Sequence, residues 1–228
     1  MVRLDARPEP LELDLRRVAV IVIDAQNDFA SPGGMFDCAG IDIRGIAAAA
    51  QTTRPVLAAA RAAGIPVVYL NMQHAPDLSD AGPPEGPHRV KHGPLSLGDT
   101  VDAPDGSRSR ILIRDTWNTE NVLELAPQAG DVVVSKHRYS GFFETELDEV
   151  LRGLAVTHLL VTGCTTSVCV ESTVRDATFR DYTCVVLEDC TSEPLGTHEA
   201  SLKVIETLFG WVSSSRAVLR ALAHEPDR

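Results

Sequence analysis

The chain reads as an α/β protein built on a parallel sheet of about six strands with helices on both faces, a Rossmann-like architecture. Three observations lead to that reading. Short apolar runs rich in β-branched residues alternate with helical patterns along almost the whole length. Those runs are continuous rather than alternating, as a strand buried on both faces requires. With 228 residues, 44% of them hydrophobic, the chain can bury one sizeable core and has little room for a second, so residues 1–228 are read as one domain.

The first strand is "VAVIVID" (18–24), a β-branched run ending in an acid. A helix follows in "PVLAAARAAG" (55–64), closed by Gly64, with Pro55 placed in its first turn where a missing N–H costs little. The second strand is "PVVYLN" (66–71). Residues 72–118 then break the alternation, since "HAPDLSDAGPPEGPHRVKHGP" and "DAPDGSRSR" are rich in proline, glycine and charge. This reads as a long structureless loop insertion after a strand's carboxyl end, and a loop of that length is more often functional than idle. It is expected to cover the edge of the site.

Regular alternation then resumes. "DVVVSK" (131–136) is a third strand, followed by a helix over 144–154. "THLLVTG" (157–163) is a fourth, followed by a helix from about Ser167 to Tyr182. "TCVVLED" (183–189) is a fifth, followed by a helix over 198–210. The short "WVSSS" (211–215) and a last helix over 215–223 close the pattern.

Charge and cysteine usage exclude several function classes. The formal net charge is −11, from 32 acidic and 21 basic residues, which argues against a nucleic-acid partner because phosphate binding needs a basic face. The N-terminal stretch has no apolar core of the kind a signal peptide carries, and no apolar run is long enough to span a bilayer. Five cysteines, an odd number with no CxxC pair, suit a reduced cytoplasmic protein better than a disulfide framework. The expected partner is a small molecule.

In open parallel α/β sheets, ligands bind outside the carboxyl ends of the strands. Three reactive residues fall there: Asp24 ends strand one, Lys136 ends strand three, and Cys169 follows strand four at the start of the next helix. Each has an ordinary alternative. Asp24 could cap a turn, Lys136 could be a solvated strand end, and a cysteine is most often a small buried hydrophobe. Together they are a base, a cation and a nucleophile at one sheet edge, the set that acyl transfer needs. Exposed N–H groups at a helix start, with a nearby cation, are expected to lower the Cys169 pKa toward the reactive thiolate. Cys184 and Cys190 read as packing, and Cys38 has no assignable role. His74, His88 and His92 match no ligand spacing, and HxH, HExxH and CxxC are all missing, so neither a metal nor any other cofactor is expected. A nucleotide site is disfavoured, because strand one is followed by no GxGxxG and the chain has no GxxxxGK[ST].

Four blocks, "VIDAQNDFASPGG" (22–34), "KHRYSGFFETELDEVL" (136–151), "VTGCTTSVCVESTVRDATFRDY" (161–182) and "VVLEDC" (185–190), resemble the isochorismatase-like cysteine hydrolases. The likeness covers nearly all of the chain outside parts of 72–118. It implies a triad of Asp24, Lys136 and Cys169, a non-proline cis peptide at Cys164–Thr165, and an oxyanion hole made of the Thr165 and Cys169 backbone N–H groups. Within that superfamily the closest likeness is to the ureidoacrylate amidohydrolases, with biuret hydrolases and N-carbamoylsarcosine amidases further off. The implied activity is hydrolysis of a small carbamoyl or ureido compound through a covalent thioester or S-carbamoyl intermediate, with ammonia released. A homo-oligomer is also implied. Substrate contacts are expected from Phe29, Asn71, Tyr139 and Phe142. The chain departs from the ureidoacrylate pattern at "DF" (28–29) and through "NMQHAPDL" (71–78). Another amide, such as biuret, an N-carbamoyl amino acid or a cyclic lactam, stays open as the substrate, as does a catalytically silent binding role.

Overall fold

The computed structural model describes residues 1–223. A short antiparallel pair opens the chain, β1 (Val2–Leu4) with β2 (Leu11–Leu13). Then come β3 (Val18–Ile23), α1 (Asn27–Ala30), α2 (Met35–Cys38), α3 (Arg44–Ala62) and β4 (Val67–Met72). The insertion carries α4 (Pro87–His92) and an antiparallel pair, β5 (Thr100–Asp102) with β6 (Arg108–Arg110). β7 (Val132–Lys136), α5 (Leu147–Gly153), β8 (His158–Cys164), α6 (Glu171–Thr178), β9 (Thr183–Ser192), α7 (His198–Val204), β10 (Trp211–Ser213) and α8 (Ser215–Ala223) complete it.

The central sheet has six strands in the order β10-β9-β8-β3-β4-β7, and every pairing in it is parallel. Alternation along β3 divides the core into two layers. Val18, Val20 and Val22 pack with Ile46, Val56 and Leu57 of α3 and Val218 of α8, while Ala19, Ile21 and Ile23 pack with Leu151 of α5, Val174 of α6 and Leu202 of α7. This burial on both faces is what made the strands read as continuous apolar runs. Among the described residues, no helix is long and apolar enough to cross a membrane.

From β3 the chain builds outward through β4 to β7, then returns to lay β8 on the other side of β3. The direction of building therefore reverses between β3 and β8, and at such a switch point the connections leave a crevice beyond the strands' carboxyl ends.

Several boundaries differ from expectation. α3 begins at Arg44, eleven residues before the expected start, and Pro55 lies inside it. Proline removes the N–H that would bond the Gln51 carbonyl, but both residues are exposed and water can take that bond. The segment 72–118 is not structureless: α4 and the β5–β6 pair give it form, and the His74 N–H donates to the Leu112 carbonyl across its base at 2.8 Å. Its hold on the body is a buried carboxylate, Asp28, which accepts hydrogen bonds from the Leu112 N–H at 2.7 Å, the Met35 N–H at 2.9 Å and the Asn118 side-chain amide.

The helix expected from Ser167 opens instead as a π-turn over Thr166–Val170 before α6 starts at Glu171. β9 runs three residues past the expected end at Asp189 and rejoins β8 beyond a register shift, pairing Gly163 with Thr191.

Candidate active site

Asp24 follows β3 directly and adopts φ 50, a left-handed conformation rare outside glycine. Backbone bonds hold it on both sides: its N–H donates to the Leu70 carbonyl at 2.8 Å, and its Oδ1 accepts the Met72 N–H at 3.0 Å. Lys136 ends β7, two strands away, and reaches back across β4. Its Nζ donates to Asp24 Oδ2 at 2.8 Å and to the Arg138 carbonyl at 3.2 Å, and it lies 3.5 Å from Met72 Sδ. Neither Asp24 nor Lys136 has any exposed surface.

Cys169 arrives from the far side of β3, on the π-turn after β8. Its thiol comes close enough to Asp24 and Lys136 for both to act on its charge. Two features of β8 permit the approach. Gly163 has φ +110, and a Cβ there would run into the Ile23 backbone carbonyl, so only glycine fits the close passage of β8 along β3. The Cys164–Thr165 peptide is cis, and Cys164 Sγ donates to the Asp24 carbonyl at 3.2 Å. Cys164 is thus a buried strut beside Asp24, fully separate from the pocket wall.

The electrostatics differ from expectation in one respect. Burial pushes the Cys169 thiol well up, the Asp24 carboxylate adds to that, and Lys136 only partly offsets the two. The helix start and the lysine therefore do not yield a resting thiolate. Burial likewise raises the Asp24 carboxyl against the opposing pull of Lys136. For Lys136, burial works to lower the ammonium, yet Asp24 and Cys169 together hold it above its usual value. The arrangement at rest is a protonated thiol against a buried ion pair.

Cys169 opens onto a pocket of about 290 Å³. Phe29, Met35, Tyr139 and Thr165 line it, α4 of the insertion contributes Lys91 and His92, and Leu195 lies on its rim. Phe29 is braced edge-to-face on Phe36 at 5.2 Å. Burial raises the Tyr139 phenol, so it stays protonated and able to donate. The turn carrying Tyr139 is tied to Cys169: the Gly141 N–H donates to Thr173 Oγ1 at 3.0 Å, and Thr173 donates to the Cys169 carbonyl at 2.7 Å. A larger hollow of about 620 Å³ beside Leu57, Arg61 and Leu123 includes none of these groups.

Two expected contacts lie elsewhere. Asn71 does not reach the pocket; it exchanges side-chain hydrogen bonds with Asn121 at 2.8 and 3.1 Å, bridging β4 to the end of the insertion. Phe142 belongs to the core layer with Leu147 and Leu151, stacked on Tyr182 at 5.9 Å under the Arg180 guanidinium. In "RYSGFF" the tyrosine faces the pocket, but the chain turns before Phe142 and sends that ring inward.

Sequence reasoning missed Gln26 and the α4 residues. Gln26 is fully buried, and its amide bridges the Met72 and Thr119 carbonyls at 3.0 and 2.9 Å while its Oε1 accepts the Met72 N–H at 2.8 Å. A glutamine two residues beyond the acid that ends strand one was the available signal. His74, His88 and His92 do converge: His88 Nε2 lies 3.3 Å from His74 Nε2, and the His88 and His92 rings are 4.2 Å apart. Burial lowers the pKa of all three, His74 to about 4 and His88 to about 3.

Comparison with known proteins gives a consistent picture. A family model of the isochorismatase domain matches residues 18–217. A ureidoacrylate amidohydrolase, RutB, from Caulobacter vibrioides (strain NA1000 / CB15N) is 45% identical over 216 residues, covering 94% of this chain and 90% of the relative. Its counterpart from Azorhizobium caulinodans is 40% identical over 227 residues, covering 99% of each chain. Among solved structures, a cysteine hydrolase from Pseudomonas syringae pv. phaseolicola 1448A superposes with a TM-score of 0.79 at 31% identity, covering 93% of this chain and 95% of the other.

Proposed function

The chain belongs to the isochorismatase family, and from that premise we propose that it is a cysteine-dependent amidohydrolase cleaving a C–N bond of a small ureido compound, with ureidoacrylate the first candidate. The observation that carries the reading is the buried Asp24–Lys136 ion pair beside Cys169, which itself opens onto a pocket large enough for a small substrate. Relatives that share 40–45% identity across nearly the whole chain bear the name ureidoacrylate amidohydrolase, which supports that substrate.

The geometry suits attack by a thiol that loses its proton as it reacts. Asp24, held as the anion by Lys136, accepts the Cys169 proton while Sγ bonds to the ureido carbonyl carbon. The Thr165 and Cys169 backbone N–H groups receive the developing oxyanion. As the tetrahedral intermediate collapses, Asp24 returns the proton to the departing amine nitrogen and the C–N bond breaks. Cys169 is left as an S-carbamoyl thioester. Water, deprotonated by Asp24, adds to the carbamoyl carbon; the C–S bond breaks, Asp24 returns the proton to Sγ, and the carbamate released decomposes to ammonia and carbon dioxide. Lys136 keeps its charge throughout, so that Asp24 can act as base in both halves.

An ammonia-release assay across ureidoacrylate, biuret, N-carbamoyl amino acids and a cyclic lactam tests the reading. Turnover of a ureide that Cys169→Ala abolishes is the expected result. Ring opening of the lactam with no ammonia from any ureide would overturn the substrate class. Inertness toward all four, with no selective alkylation of Cys169 by iodoacetamide, would overturn the enzyme reading.

A further inference from the structure

Lys91 is the one charged side chain on the pocket wall among the described residues, and no carboxylate reaches that wall. In a chain with 32 acidic residues and a net charge of −11, a wall free of acid departs from the general surface. Three other cations are committed elsewhere. Lys136 is paired with Asp24, Arg114 with Asp80 at 3.2 Å, and the Arg138 guanidinium donates to the Asp80 and His137 carbonyls. Among the described residues, Lys91 makes no such bond. Lys91 is exposed and Cys169 is buried, and the pocket they share is also lined by the apolar Phe29, Met35 and Leu95.

We propose that Lys91 is a specificity-determining residue that binds an anionic group on the substrate, so that the enzyme prefers a small ureide or amide with a carboxylate on the side remote from the scissile bond. The proposal rests on the amidohydrolase reading for its reaction but on the pocket wall for its charge preference. Apolar walls strengthen the attraction, because a charge pair flanked by low-dielectric surface is less screened than one in open water. The intervening wall suits a flat, uncharged spacer. The neighbouring His92 ring is fixed by a 2.8 Å bond between its Nδ1 and the His88 carbonyl, and this leaves Nε2 as an acceptor for an amide N–H on the same wall.

Alkylation of Cys169 tests the charge preference without requiring turnover. Iodoacetate carries a carboxylate and iodoacetamide does not, and mass spectrometry of the Cys169 peptide separates its labelling from that of exposed Cys38. Lys91→Gln is expected to lower the ratio of iodoacetate to iodoacetamide rates by about tenfold, equivalent to about 1.4 kcal/mol. Lys91→Glu should lower it further, and Lys91→Arg should restore it. Added salt should erase the wild-type preference. In turnover, Lys91→Gln should raise KM for a carboxylate-bearing ureide about tenfold, and for biuret, which has no carboxylate, by much less. An alkylation ratio identical in wild type, Lys91→Gln and Lys91→Glu would overturn the anchor, even if ureides are hydrolysed. A shifted ratio in a protein that hydrolyses no ureide would keep the anchor and remove the reaction.

Discussion

Asp24 Oδ2 lies 2.8 Å from Lys136 Nζ, and both side chains are sealed from solvent. Each charge persists in that site because the other is there, and the thiol beside them is the one group free to change protonation state.

Removing one member should therefore affect both chemistry and stability. Asp24→Asn keeps the shape but ends proton acceptance, so kcat should fall by about 10²–10⁴-fold. It also leaves the Lys136 ammonium buried without a counter-charge, a loss on the order of 3–5 kcal/mol. Steady-state kinetics and urea unfolding of the same variant check the two effects. Lys136→Met removes the one group that lowers the Cys169 pKa. The pH profile of Cys169 alkylation should move to higher pH, and an unmoved profile would take Lys136 out of the mechanism.

Two buried cysteines should respond in opposite ways. Cys169→Ala removes the nucleophile and should abolish turnover in a folded protein. Cys184 is equally buried but packs within β9 in the core layer with Val161 and Val174. Cys184→Ala should keep most of the activity at a cost of about 1 kcal/mol in stability. Circular dichroism melts run beside the activity assay separate the outcomes.

Acidification should loosen the insertion through its histidines. His74 and His88 are held below their ordinary 6.5, at about 4 and about 3, because the fold buries them neutral. Below pH 6.5 the unfolded chain binds protons that the folded one refuses, so stability present above that pH is lost as pH falls toward 4. Asp28 works the other way. Burial raises its carboxyl from 3.8 to about 6, so the folded state holds the extra proton and its contribution fades as pH rises through that window. Hydrogen exchange of the α4 amides at pH 4.5 and 7 should show faster opening at the lower pH, and His88→Gln should flatten the difference. Equal exchange at both pH values would count against the histidines as its source.

Gly163→Ala should be severe. The added methyl group would meet the Ile23 carbonyl, and the φ of +110 is itself unfavourable for alanine. A loss of about 3 kcal/mol, read from the urea midpoint, is expected, together with lowered kcat because β8 carries the nucleophile turn. An alanine variant with an unchanged midpoint would mean that β8 can shift without penalty.

The layered sheet was legible because burial on both faces leaves a direct imprint, as in "VAVIVID". The meeting of Asp24 and Lys136 was legible because both are reactive residues that end strands of one parallel sheet. Other features depend on partners distant in sequence. Pro55 looked like a helix start, since nothing local shows that solvent can satisfy the Gln51 carbonyl. The insertion looked structureless because its elements are short and its anchor, Asp28, which accepts the Leu112 N–H, lies far away in sequence. Asn71 looked like a substrate ligand until its partner, Asn121, was in place, and the inward turn of Phe142 depends on Tyr182 being there to receive it. The thiol's electrostatics were misjudged for a similar reason: a helix start and a cation are visible in sequence, but the depth of burial that outweighs them is not.

The order of the sheet has a consequence for biosynthesis. Asp24 and Lys136 are 112 residues apart, and Cys169 comes from a strand laid down on the opposite side of β3 after both. Contacts of that sequence separation form late, since closing long stretches of chain carries an entropic cost before any contact repays it. A nascent or half-folded chain holding β3, β4 and β7 has an acid and a lysine in place but no nucleophile beside them. Its exposed thiols are then ordinary thiols, unable to act on cellular amides. Hydrolytic activity thus doubles as a report of completed folding, and a refolding experiment should recover catalysis only once β8 has docked against β3.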